Sequence, residues 1–189
     1  NVQNAQVYED GSVGLQINAQ LVDNDTSETL TVRVSGIPSG WGVNTSTSGG
    51  VYDSNTGVWE ITLSGGQNFS GGPLLSPPAN SDADINLTVT ATSTEIADLS
   101  ETATVTKPLS VVVDAVADNP TLTAGNVIGQ EDETIDLDIA AAVTDMDGSE
   151  SITEIRISGF PTGTVLSAGS YDSVSGIWTL SLADLNGLQ

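Results

Sequence analysis

The chain has 189 residues, of which 25 are Asp or Glu and only three are Lys or Arg, so its formal net charge at pH 7 is -22. A surface of this charge excludes nucleic acids and anionic membranes as partners. The sequence has no cysteine and no histidine, which excludes disulfides, thiolate or imidazole metal ligands, and Ser-His-Asp catalysis. Hydrophobic residues make up 38% of the chain, enough for a folded core. No apolar run approaches the length of a membrane span, so we expect no membrane insertion.

Along the chain, apolar residues alternate with polar ones at a period of two, which is typical of half-buried β-strands. A Gly- and Pro-rich stretch at 65–82 predicts a long loop. No segment keeps a helical period, so the pattern predicts an all-β antiparallel sandwich. The predicted strands cover residues 13–21, 30–34, 58–63, 85–91 and 103–113.

The sequence also contains an internal repeat of about 120 residues. YEDGSVGLQINAQLVDNDTSETLTVRVSGIPSG, from Tyr8, aligns with QEDETIDLDIAAAVTDMDGSESITEIRISGFPTG, from Gln130. Farther on, YDSNTGVWEITL matches YDSVSGIWTLSL. We therefore expect a complete β-sandwich repeat at 1–118 and the N-terminal half of a second, truncated repeat at 119–189. Either the chain is a piece of a longer protein, or a neighbouring chain completes the second repeat.

Acidic residues recur with this repeat. They fall before the first strand of each copy, in the loop after that strand, and in the segment DAVADNP between the copies. We call residues 23–28 the first acidic loop, residues 145–150 the second acidic loop, and residues 114–120 the linker. The candidate metal ligands are Glu9, Asp10, Asp23, Asp25, Glu28, Asp114, Asp118, Asn119, Glu131, Asp132, Asp145, Asp147 and Glu150.

Carboxylates at alternate positions, with a hydroxyl and a Glu nearby, provide the several oxygen ligands that Ca²⁺ takes. The EF-hand pattern is absent, because its spacing and its flanking helices are missing. A single such loop is equally well explained as an ordinary turn, since Asp, Asn, Ser and Gly favour turns for local backbone reasons. Both copies keep D-x-D-x-S-E while their neighbours differ, and this favours the metal interpretation.

The combination of an E-D start, A-x-x-D-x-D-G-S-E, I-x-G-x-P-x-G, a W-x-L strand and a V-A-D-x-P linker resembles the tandem extender repeats of large bacterial RTX-type adhesins. That resemblance implies Ig-like or cadherin-like sandwiches with Ca²⁺ at their junctions, forming a rod on the outside of the bacterial cell. It implies that neighbouring repeats of the same polypeptide are the partners. By the same resemblance, Asp114, Asp118 and Asn119 would meet Glu131, Asp132, Asp145, Asp147 and Glu150. The first acidic loop departs from the pattern at Asn24-Asp25-Thr26, which lacks a glycine.

Another hypothesis is a module that binds a carbohydrate or protein directly through Ca²⁺, which would require exposed aromatic side chains near the acids. Trp41 has no counterpart in the second copy and is the aromatic to test for such a contact. Trp59 and Trp178 occupy matching positions between aliphatic residues, so we expect them in the core. Because the acids recur with the repeat, whereas an active site normally appears once, we expect no enzyme activity.

Overall fold

The computed structural model describes residues 1–23 and 25–189, and its described part is all-β, without an α-helix. The chain divides into two compact units, unit 1 at Asn1–Val116 and unit 2 at Ala117–Gln189. Within the described residues, no helix has the length and the apolar composition needed to cross a bilayer.

Unit 1 is built from short strands joined by turns, with two long strands at its C-terminal end. In chain order they are β1 (Val2–Gln3), β2 (Ala5–Tyr8), β3 (Val13–Gly14), β4 (Gln16–Ala19), β5 (Glu28–Ser35), β6 (Gly42–Asn44), β7 (Val51–Asp53), β8 (Val58–Leu63), β9 (Phe69–Gly71), β10 (Leu74–Ser76), β11 (Ile85–Glu95) and β12 (Thr102–Asp114).

These strands form one six-stranded sheet in the order β2-β12-β11-β5-β8-β7 and two three-stranded sheets, β1-β4-β9 and β3-β10-β6. The pairing is antiparallel except for β2, which runs parallel to β12. Residues from all three sheets contribute to one buried core that contains Ile17, Leu75 and Trp59. Sheets that share a core in this way are compatible with a β-sandwich.

The structure corrects two predictions about unit 1. The segment 13–21 is not one strand, because the chain passes at Leu15 from the sheet of β3 to the sheet of β4. At that position the Leu15 N–H donates to the Pro73 carbonyl at 3.1 Å. The segment 65–82 is not a plain loop, since it contains β9 and β10 with Phe69 and Leu75 buried. Alternation continues across the sheet change, so periodicity alone could not reveal it.

Unit 2 contains β13 (Thr121–Ala124), β14 (Ile139–Ala142), β15 (Ile155–Ser158), β16 (Ser170–Asp172) and β17 (Ile177–Leu180), followed by a 3₁₀ turn at Leu182–Leu185. β13 pairs with β14, and β15, β17 and β16 form a second sheet in that order. A smaller core gathers around Trp178, Leu180 and Leu188. As expected, Trp59 and Trp178 are both core residues.

Candidate metal-binding loops

The second acidic loop, in unit 2, is held by hydrogen bonds between its acids and its own backbone. One carboxylate oxygen of Asp145 accepts from the Asp147 N–H at 2.9 Å, and one of Asp147 accepts from the Ser149 N–H at 2.9 Å. The other Asp145 oxygen accepts from the Ser149 hydroxyl at 3.0 Å. Two successive Asx turns of this kind hold both carboxylates against the loop backbone, with Asp145 buried and Asp147 exposed. Gly148, with a φ of 102°, provides the left-handed backbone that the turn requires.

Asp145 is 2% exposed, which is unusual for a carboxylate, and one of its oxygens lies within 4.8 Å of one from Asp147. A Ca²⁺ ion binds its oxygen ligands at about 2.3–2.6 Å, so it can touch two oxygens with this separation. Two anionic groups held this close repel each other unless a cation neutralises them. The acids of this loop therefore fit a divalent cation.

The linker reaches the second acidic loop inside unit 2. The Asp118 N–H donates to a carboxylate oxygen of Glu150, and the Thr144 hydroxyl donates to the Asn119 carbonyl at 2.7 Å. These contacts bring the linker residues Asp118 and Asn119 beside the loop. Thr144 was not among the candidates, because its hydroxyl contacts a backbone carbonyl that carries no signal in the sequence.

The first acidic loop, in unit 1, repeats the same two turns. Asp23 accepts from the Asp25 N–H at 3.1 Å, and Asp25 accepts from the Ser27 N–H at 2.8 Å. Hydrogen bonds from Ser27, from its side chain first and its backbone second, lower the pKa of Asp25 below its ordinary value of 3.8. Thr26 takes a φ of 72°, in the position that Gly148 occupies 122 residues later. Asn24, one of the departures from the pattern, lies outside the described residues.

Glu28, the last acid of this loop, begins β5, where it is directly opposite Glu95 of β11. Both side chains are half-buried. Like charges that face each other across strands are destabilising, and a cation near Glu28 would reduce their repulsion. Glu95 was not among the candidates, because the acids were selected by their recurrence and Glu95 has no counterpart in the second copy.

Glu9 has the least usual environment of the candidate ligands. It is 3% exposed, and its Oε1 accepts from the Val116 N–H, while its own N–H donates to the Asp114 carbonyl at 3.0 Å. Its other oxygen, Oε2, is buried without a hydrogen-bond partner among the described residues. A buried acceptor without a partner costs about 1–3 kcal/mol, and more when it is charged. A cation at Oε2 would remove this cost.

The remaining candidate acids are more exposed. Asp114 accepts from the Gln6 side-chain amide at 2.6 Å, and Asp10 accepts from the Asn80 N–H at 3.4 Å. Glu131 and Asp132 are exposed in a turn, and Asp132 has a φ of 64°, close to the 62° of Asp10. In the described part of the chain neither of them donates to or accepts from the second acidic loop.

The exposure of the aromatic side chains bears on whether the acids lie beside a direct binding surface. Tyr8, which directly precedes Glu9 and Asp10, is 65% exposed. Trp41, the aromatic chosen for a test of surface contact, is buried in the core of unit 1 and offers no such contact. Glycines on both sides of Trp41 interrupt the alternation of apolar and polar residues, so the sequence pattern did not indicate that its side chain points into the core. Tyr171 is half exposed and packs on Trp178, with ring centroids 5.3 Å apart.

No protein-family model matches this chain, and a search of curated proteins finds no significant match.

Proposed function

We propose that this protein is a structural extender module of a bacterial surface adhesin, in which Ca²⁺ bound at the acidic loops stiffens the linker between β-sandwich repeats. In this proposal the repeats are Ig-like or cadherin-like, and they project a distal ligand-binding region for cell adhesion or biofilm formation. The module acts mechanically rather than as an enzyme, and its partners are neighbouring repeats of the same polypeptide.

The observation that carries the proposal is the anchoring of the linker on both sides by acids. In unit 1, Glu9 accepts from the Val116 N–H, and in unit 2, Glu150 accepts from the Asp118 N–H. Ala117 is the residue between these two amides. A cation bound by Glu9 would strengthen the first anchor, and a cation bound by Asp145 would strengthen the second. Metal that binds only the ordered linker stabilises it by mass action.

Further support comes from turns that recur at matching positions of the two units. The two acidic loops share their pair of Asx turns. In the later match, the Gly57 N–H donates to the Asp53 carbonyl at 2.9 Å, and the Gly176 N–H donates to the Asp172 carbonyl at 2.8 Å. Local geometry that recurs with the sequence is what a tandem repeat predicts.

A calcium titration by calorimetry on the full chain tests the proposal. Asp145→Asn keeps the side-chain oxygen that forms the Asx turn but removes the charge, so we expect calcium affinity at the second acidic loop to fall at least tenfold. Glu154→Gln is the matched control, because it removes one charge from unit 2 at an exposed ion pair with Arg156. Equal affinity in both variants would contradict the proposed site.

Stiffening needs its own measurement. We expect calcium to reduce the fast backbone motion of Ala115 and Ala117 in ¹⁵N relaxation, and we expect small-angle scattering to give a longer maximum dimension with calcium than with chelator. The Asp145→Asn variant should show a smaller response. If calcium binds but the scattering and the relaxation do not change, the protein binds calcium without stiffening the linker, and the mechanical role is contradicted.

A further inference from the structure

Unit 1 contains a mostly apolar cavity of about 470 Å³, and Asp23 and Glu28 of the first acidic loop form part of its rim. It lies between residues 17–21, residues 89–93 of β11 and residues 103–107 of β12. Four of its lining residues, Ala19, Ala91, Ser93 and Ala103, have small side chains. The wall residues that matter here are Ala19, Ala91, Ser93, Ala103, Val105 and Lys107.

One edge of this cavity continues the ladder between β1 and β4. Val2 is opposite Ile17, and one step farther the Asn18 N–H donates to the Asn1 carbonyl at 2.8 Å, while the Asn1 amino group donates back to Asn18. The ladder therefore extends to Asn1. A residue attached to the amino side of Asn1 in the same ladder would lie opposite Ala19.

Unit 2 shows how the backbone of such a continuation pairs, although the side chain of Leu122 is 66% exposed there. There β13 pairs with β14 over four residues, with Thr123 opposite Ala140, Leu122 opposite Ala141 and Thr121 opposite Ala142. Subtracting 122 from each number places Thr123 on Asn1 and Ala141 on Ala19. Leu122 thus corresponds to the position that immediately precedes Asn1.

The direction of that side chain follows from strand alternation. Val2 packs against the core of unit 1, and side chains two positions apart in a strand point to the same face. A residue two positions before Val2 therefore points towards the cavity. An apolar side chain there would contact Ala19 on its own sheet and face Ala91 and Val105 across the cavity.

We propose that this cavity is a receptor for the leucine of an extended Thr-Leu segment that continues β1 in the N-terminal direction. Its occupant has the chemistry of Thr121-Leu122, which follow the linker residues Asp118, Asn119 and Pro120. That the linker of a preceding repeat supplies this segment rests on the proposed function. The register that places the segment opposite Ala19 comes from backbone pairing, so the fit can be tested without calcium.

The test is to attach Asp-Asn-Pro-Thr-Leu to the amino end of the full chain and compare it with a matched Asp-Asn-Pro-Thr-Asp extension, both in chelator. Unfolding of unit 1 is followed through the NMR signal of the Trp59 indole, whose N–H donates to the Gly49 carbonyl. Because the leucine side chain becomes buried, we expect an unfolding temperature roughly 5 °C higher with the leucine extension. Equal unfolding temperatures would overturn the proposal.

A second variant connects the gain to the cavity itself. Val105 is 60% exposed, so Val105→Asn should leave the unfolding temperature of the unextended chain almost unchanged. In the chain with the leucine extension the same substitution should remove at least half of the gain. A gain that is insensitive to Val105→Asn would mean that the leucine packs elsewhere, which also contradicts the proposal.

The oligomeric state of the chain shows whether a second copy of the chain, rather than the Thr-Leu segment, occupies the cavity. If the unextended chain dimerises in light scattering and both extensions abolish the dimer, the cavity belongs to a second copy of the chain, and the proposal is wrong. A monomer at all concentrations supports it. Every measurement on the extended chains is made in chelator. A negative result for the leucine extension therefore does not test calcium binding at the acidic loops, and a negative calcium titration does not test the leucine extension.

Discussion

The side chain of Asp172 stabilises a turn through its hydrogen bonds, and the same hydrogen bonds make the stability of the fold depend on pH in acid. It accepts from the Ser175 hydroxyl at 2.6 Å and from the Val174 N–H at 2.9 Å. These hydrogen bonds, that of Ser175 first, lower the pKa of Asp172 below 3.8. A carboxyl whose pKa is depressed by folding stabilises the folded state above its unfolded pKa. This contribution is lost as the pH falls through the folded pKa.

We therefore expect Ser175→Ala to raise the pKa of Asp172 towards 3.8, as measured by NMR titration of its side-chain carboxyl carbon. The same titration contains a control, because Asp53 forms the matching turn in unit 1 with Asn55 and Thr56, and its lowered pKa should not move. Below pH 3.8 the variant should lose less stability with falling pH than the parent. An unchanged Asp172 pKa would show that the hydroxyl does not act on the carboxylate.

Thr26 carries backbone strain that its counterpart avoids. Holding a β-branched residue in the left-handed region costs about 1–2 kcal/mol of folding free energy. Glycine avoids this strain, but ordering its more flexible backbone on folding costs about 0.5–1 kcal/mol. We expect Thr26→Gly to stabilise unit 1 by about 0.5–1 kcal/mol in urea unfolding. The reciprocal Gly148→Thr should destabilise unit 2, although a Cβ at Gly148 would meet no atom within 4 Å. A loss of stability in Thr26→Gly would contradict the strain.

At the scale of strands, the pairing of β5 with β11 contains an unfavourable contact between Glu28 and Glu95. Glu95→Gln should stabilise unit 1 by about 0.5 kcal/mol at low ionic strength, and the gain should shrink in 1 M NaCl because salt screens the repulsion. Glu60→Gln is the control, since Glu60 is opposite Arg33 and its neutralisation should give the opposite sign. Chemical denaturation at the two salt concentrations measures both effects. Identical signs would mean that the cross-strand charges do not interact.

The strands also show what the sequence could predict. Alternation located β5, β8, β11 and β12, because long strands with one buried face repeat the pattern several times. It missed β9 and β10, since each has only three residues and lies in a Gly- and Pro-rich stretch. β12 runs through Pro108 without a break, because β2 pairs with β12 only at 111–114 and leaves that edge open at the proline.

The candidate site was predictable to a similar extent. The acids and their Asx turns follow from local sequence, because Asp bonds to the backbone two residues ahead wherever the chain turns. The anchoring of the linker by Glu9 was not predictable in this way. It depends on the parallel pairing of β2 with β12, which joins residues more than about 100 positions apart in the chain. Burial of the Glu9 carboxylate is a consequence of folding that no local pattern encodes.

For the whole molecule, the net charge of -22 makes stability depend on the cations in solution. Any salt screens the repulsion, whereas calcium that binds the acidic loops adds a stabilisation that grows with the logarithm of its concentration. With a dissociation constant of roughly 0.1–1 mM, the range of extracellular calcium modules, we expect 5 mM CaCl₂ to stabilise the fold by about 1–2 kcal/mol more than NaCl of the same ionic strength.

Magnesium separates specific binding from divalent charge in this experiment. Mg²⁺ demands octahedral geometry and gives up its water reluctantly, so a flexible loop of carboxylates should bind it more weakly than Ca²⁺. Calorimetric unfolding in CaCl₂, MgCl₂ and NaCl should therefore give the highest unfolding temperature in calcium, and Asp145→Asn should bring the calcium value closer to that in magnesium. Equal unfolding temperatures in the three salts would reduce the role of the acidic loops to general charge screening, because a bound ion cannot leave stability unchanged.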